Sequence, residues 1–90
     1  MKLLATKTVV SDIPISILSF MFSKVSTLDN RDYLQVFDIK SNHEELNIIH
    51  TTEEPRYEKK YALPFDMDIE GNIFAVIEDN YCTFMYADEY

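Results

Sequence analysis

The sequence predicts an α+β fold: an antiparallel β-sheet of about five to six strands with one apolar helix, about residues 14–25, packed on one face. Three observations carry this. A run of apolar side chains at Ile15, Ile17, Leu18, Phe20, Met21, Phe22 and Val25 follows directly on Pro14, the residue that best tolerates the first turn of a helix. After it come several short segments rich in β-branched and aromatic residues, each showing period-two alternation and each closed by polar turn residues. Finally, 47% hydrophobic content in 90 residues, with a single glycine, supplies one core and argues against a loop-rich chain, so residues 1–90 are expected to form a single domain.

Taken in order, residues 5–10 (ATKTVV) have the β-branched content of a short strand that Ser11, Asp12 and Pro14 close. Ser11 or Asp12 then caps the helix. That helix is apolar nearly all round, with a narrow polar stripe of Ser16, Ser19 and Ser23. A turn around Asn30 releases the chain into a strand over residues 33–39, where Tyr33, Phe37 and Ile39 face one side and Leu34 and Val36 the other. Residues 41–45 form a polar turn, and residues 46–51 a strand with Leu46, Ile48 and His50 on one face. The loop at 52–55 leads to a strand of mixed charge, residues 56–63, placing Tyr57, Tyr61 and Leu63 opposite Glu58 and Lys60, as suits a sheet edge. After Pro64 an acidic connection alternates Phe65, Met67 and Ile69 with Asp66, Asp68 and Glu70, which sends three side chains to the core and three carboxylates to water. The chain closes as a hairpin of residues 72–77 and 81–86, turning at Asp79-Asn80, a pair that tolerates positive φ.

Charge is distributed unevenly. The net charge is -8, and residues 61–90 hold seven carboxylates and no lysine or arginine. A surface of that sign repels phosphate backbones and anionic membranes and steers basic proteins towards itself, an attraction that weakens with salt. Direct nucleic-acid and membrane binding are therefore disfavoured. No window approaches the ~20 apolar residues of a membrane helix. The N-terminal apolar stretch is too short for a secretory signal, and the lone Cys82 in an apolar strand fits a small buried hydrophobe in a reducing cytoplasm.

No catalytic or metal-binding constellation stands out. His43, His50 and Cys82 lie in unrelated segments without ligand spacing. His43 reads as solvated, and His50 as a half-buried strand histidine bonded to acceptors in residues 51–54. The pairs Glu44-Glu45, Glu53-Glu54, Glu78-Asp79 and Asp88-Glu89 read as solvated charge, since neighbours on a strand point to opposite faces. Cys82 lacks the base and electropositive setting of a nucleophile, and the helix serines lack a nucleophile elbow. The expectation is a non-enzyme without cofactor or metal.

The segments DYLQVFDI (32–39), IIH followed by EPRYEKKYALP (48–64) and the terminal YCTFMYADEY, with an early IP opening an apolar helix, resemble the bacterial family designated domain of unknown function 960. The resemblance spans essentially the whole chain. It implies a small protein of Gram-positive bacteria, their phages and their plasmids, with no established activity. In that setting the expected function is an acidic protein-interaction module, a nucleic-acid mimic inhibiting a host defence nuclease of the anti-CRISPR or anti-restriction type. Its partner would be a basic protein, such as an RNA-guided or other defence nuclease. The contact residues expected are Asp66, Asp68, Glu70, Glu78, Asp79, Tyr81, Tyr86, Asp88 and Glu89, the tyrosines adding rigid contact area among the carboxylates. The alternative is a small homo-oligomeric accessory or regulatory protein, a homodimer joined through the apolar helix or a sheet edge.

Overall fold

A computed structural model describes residues 1–28 and 32–90; the turn expected at Asn30 falls outside them. The elements run β1 (Lys2–Ala5), α1 (Lys7–Asp12), α2 (Ile15–Thr27), β2 (Leu34–Asn42), β3 (Glu45–Thr52), β4 (Tyr57–Pro64), β5 (Glu70–Glu78) and β6 (Tyr81–Tyr86), with a closing 3-10 turn at Ala87–Glu89. The fold is α+β, a sheet of six strands in the order β1-β6-β5-β2-β3-β4. Neighbours from β6 to β4 are antiparallel. The edge strand β1 instead lies parallel to β6, so the sheet is mixed, a pairing of distant segments that local pattern does not report.

The expected strand at residues 5–10 is corrected. The strand ends at Ala5, and Lys7–Asp12 is a short helix. Thr6 begins it, its hydroxyl accepting from the Val9 N–H at 3.4 Å. Glu89 accepts from the Thr6 and Thr8 hydroxyls at 2.9 and 2.7 Å, tying the helix start to the C-terminal turn. β-Branched propensity loses here to a cap and a tertiary clamp. The element order therefore gains one helix over the expected single one.

α2 follows the expected apolar run. It buries Ile17, Leu18, Met21 and Val25 on the sheet, while Ser16, Ser19, Ser23 and Ser26 face solvent. Phe20 meets the Tyr61 ring edge-on at 5.2 Å, and the Lys24 ammonium lies 5.1 Å from both ring centres. Beneath α2, the register sets Phe37 and Ile39 of β2 beside His50 and Ile48 of β3 and Ile73 of β5, all in one core with Phe84 and Cys82 of β6.

In the acidic connection Phe65 and Ile69 pack against this core, but Met67 is 53% exposed. Two of the three expected side chains are thus internal. Ser41 fastens the segment by donating to the Ile69 carbonyl and accepting from its N–H at 2.8 Å. At the β5–β6 turn Asp79 has φ 29°, the positive value expected of that pair. Gly71 lets Tyr86 approach: a Cβ there would stand 2.8 Å from the Tyr86 ring.

Candidate interaction surface

The expected contact residues separate into three places. Asp66, Asp68 and Glu70 lie where the chain enters β5, Glu70 paired with Lys40 at 3.6 Å across an exposed strand pair. Glu78, Asp79 and Tyr81 lie at the other end of that strand, about 26 Å away at ~3.3 Å per residue. Tyr86, Asp88 and Glu89 close the chain. Of these, Glu89 accepts from both threonine hydroxyls and from the Tyr86 N–H at 2.8 Å. Those donors, the Tyr86 N–H first, hold its carboxyl below the usual range. The Tyr86 hydroxyl donates to Asp12 at 2.8 Å, and desolvation together with that bond pushes it up to about 12. Tyr86 and Glu89 are thus occupied in joining the chain ends, whereas Asp88 is exposed.

Because the helices cover one side of the sheet, the other side is open, and the strands do not make it polar throughout. Leu34, Val76, Thr83 and Leu4 stand in one row across β2, β5, β6 and β1. Val36, Phe74 and Met85 stand in the next, continued by Thr51 of β3 and Glu58 of β4. Leu4 is 45% and Tyr33 62% exposed, Leu34, Val36, Phe74, Thr83 and Met85 are half-buried, and Val76 is already covered, 8% exposed. Tyr90 folds back so that its ring and that of Phe74 meet edge-to-face with centres 5.5 Å apart, its hydroxyl bonded to Tyr33. The remaining outward positions of β2, β3 and β4 carry mostly polar side chains, Asp38, Lys40, Asn47 and Lys60 among them, with Ile49 and Ala62 interspersed.

Where this apolar stripe meets the β3–β4 turn there is a cleft of about 660 Å³, lined by Leu34, Val36 and Thr51 from the stripe and by Asp32, Glu53, Glu54, Arg56, Tyr57 and Glu58. Asp32 organises it. Its carboxylate accepts from the N–H groups of Leu34 (3.3 Å), Glu53 (3.3 Å) and Glu54 (3.1 Å), fastening the turn to the start of β2. Desolvation pushes the Asp32 carboxyl up, but the N–H donors of Glu54, Leu34, Glu53 and Tyr33 outweigh it and hold the group below its ordinary value. The Glu54–Pro55 peptide bond is cis, and the Thr52 hydroxyl donates to the Pro55 carbonyl. Four carboxylates and one guanidinium in a mostly polar cleft, with Leu34 and Val36 on its stripe side, make a receptor for cationic groups on apolar stems. The local pattern shows Glu53-Glu54 only as solvated charge; the signal that points further is the apolar content of both sides of β2.

His50 is fully buried between Gln35, Phe37 and Tyr57, a correction to the half-buried, loop-bonded setting expected of it. Its Nε2 lies 2.6 Å from Gln35 Oε1, and its ring stacks on Phe37 at 4.1 Å. Desolvation pushes it down to about 4, so it is neutral at pH 7 and its Nε2–H donates to Gln35. His50 Nδ1 and Gln35 Nε2 have no partner among the described residues. His43 is exposed in the β2–β3 turn, and Cys82 is fully buried. No group of three or more His, Cys, Asp or Glu arranged to hold a metal ion occurs among the described residues. Nor is any helix among them long and apolar enough to cross a membrane.

This architecture, a six-stranded mixed sheet with helices on one face, recurs in a crystal structure of a protein of unknown function from Enterococcus faecalis. The two superpose with a TM-score of 0.84 at 20% identity over 99% of this chain and 90% of that one. At that identity the likeness concerns the fold. No family model and no curated protein matches the chain.

Proposed function

We propose that this protein is an acidic protein-interaction module, without enzymatic activity of its own, that captures a basic protein in the cytoplasm. The observation that carries the reading is the charge distribution: seven carboxylates and no lysine or arginine in residues 61–90, five of those carboxylates exposed at the two ends of β5 beside a partly apolar sheet face. Charges so placed raise the encounter rate with a cationic partner, while a desolvated apolar centre supplies lasting affinity. The resemblance to family 960 suggests a phage or plasmid setting, and there the partner is a host defence nuclease, RNA-guided or of the restriction type, in whose basic channel the carboxylates imitate the nucleic acid. A second reading, a homo-oligomeric accessory protein, draws on the same open face.

The test is capture of host proteins on the immobilised protein at low salt, elution at high salt, and assay of each captured nuclease. A basic nuclease that is inhibited and released by salt supports the reading. Changing Asp66, Asp68, Glu78 and Asp79 together to Asn or Gln is expected to leave melting unchanged and to weaken capture by about tenfold or more through lost steering. Undiminished inhibition by that variant excludes charge mimicry.

A further inference from the structure

The stripe on the open face has a definite size. Its apolar part spans four strands, about 15–19 Å at ~4.8 Å per strand, and two residue rows, roughly 10 Å wide. An α-helix with its side chains is ~10–12 Å across and advances 5.4 Å per turn, so about three turns fit it. A second copy of this chain does not. The stripe offers roughly 150–190 Å² by those dimensions, against ~800 Å² per partner in a stable interface, and self-association would set acidic rims against each other.

Continuing along the stripe past Val36, the surface drops into the cleft bordered by Asp32, Glu53, Glu54 and Glu58. Glu78 and Asp79 flank its other long side beyond Val76. Lys2 stands in the Glu78 row at the β1 corner, so the acidic groups gather at the cleft end and at the β5–β6 turn, and the complement of an apolar floor so bordered is a helix with one apolar stripe and cationic side chains towards those two places. We infer that the open sheet face docks an amphipathic, lysine- or arginine-bearing helix of the partner protein across β1, β6, β5 and β2, with one cationic side chain seated in the cleft between Asp32 and Glu58. The inference rests on the interaction-module reading and adds the binding face and the form of the partner's segment. The Tyr90 ring, lying against Phe74, forms part of the surface the helix meets.

The test uses two synthetic peptides of about 18 residues, ~27 Å as helices, one of leucine and lysine in amphipathic order and one with glutamate at every lysine position. Each is titrated into the isotopically labelled full chain and followed by amide NMR. The expected result is binding of the lysine peptide alone, with shifts concentrated at Leu34, Val36, Phe74, Val76, Thr83 and Met85. Phe74→Thr and the pair Glu53→Gln, Glu58→Gln are each expected to weaken it by about tenfold. Ile15→Thr, on the exposed side of α2, is expected to leave it unchanged, and retained amide dispersion in every variant verifies folding. Shifts confined to α2 or to the turn at Asp66 and Asp68 overturn the docking face while leaving the acidic-module reading standing. Equal binding of the glutamate peptide overturns the charge complementarity, and no binding of the lysine peptide at low salt overturns both.

Discussion

Phe37→Ala is expected to destabilise the protein by about 3–5 kcal/mol, the largest effect of any single truncation in the sheet. The ring is fully buried at the centre of the sheet, 6.0 Å from the Phe84 ring and stacked on His50 at 4.1 Å with planes 14° apart. Removing it forfeits the transfer energy of the ring and leaves a cavity between β2 and α2 that the flanking β-branched strands close only in part. A domain of this size has a total stability of roughly 5–13 kcal/mol, so the loss is about a quarter or more of it and lowers the melting temperature by roughly 12 °C or more. The same substitution opens the His50 ring to water, and its pKa should rise from about 4 towards the ordinary value near 6.5. Denaturant unfolding together with histidine NMR titration reads both effects. A loss below about 1 kcal/mol would place Phe37 outside the core.

The second large effect is with pH. In the folded protein desolvation holds His50 at about 4, whereas in the unfolded chain it titrates near 6.5. Between those values the unfolded state binds a proton that the folded state refuses. Stability is therefore full above pH ~6.5, falls as pH drops through that value, and has lost about 3 kcal/mol by pH ~4. Asp32 and Glu89, held low by their N–H and hydroxyl donors, lose their contributions as pH falls from their ordinary values of 3.8 and 4.5 downward, so most of the step from pH 6.5 to 4.5 belongs to His50. In His50→Leu that step should disappear, although the Gln35 carbonyl then loses its donor and the pH 7 stability falls as well. Equal unfolding midpoints at pH 7 and pH 4.5 in the wild type would show His50 to be in contact with water.

How much of this was legible in the sequence varies by element. The hairpin of residues 72–77 and 81–86 and the helix after Pro14 were legible because alternation, a helical apolar run and turn chemistry are local properties. Residues 5–10 were not. Their β-branched residues favour a strand, and what makes residues 7–12 a helix is a clamp from Glu89 more than eighty residues later. The parallel β1–β6 pair was hidden for the same reason. Charge asymmetry was visible at once, but the carboxylates that converge on a concave site are Asp32, Glu53, Glu54 and Glu58, brought together by the Asp32 side chain bonding a turn 21 and 22 residues away. Tyr86 and Glu89, expected to meet a partner, are spent internally, because hydroxyl and N–H donors to a carboxylate are not visible in charge counts.

The open sheet face decides between the two functional readings. A face reserved for a basic partner leaves the free protein a monomer, because the stripe is too small for a dimer interface and its rim carries like charge. A homo-oligomeric module buries the same Phe74, Val76 and Leu34 against a second copy. Sedimentation velocity at low and at high salt measures this directly: the account predicts a 10.6 kDa monomer in both, and a dimer that persists at either salt and is dissociated by Phe74→Thr would contradict it.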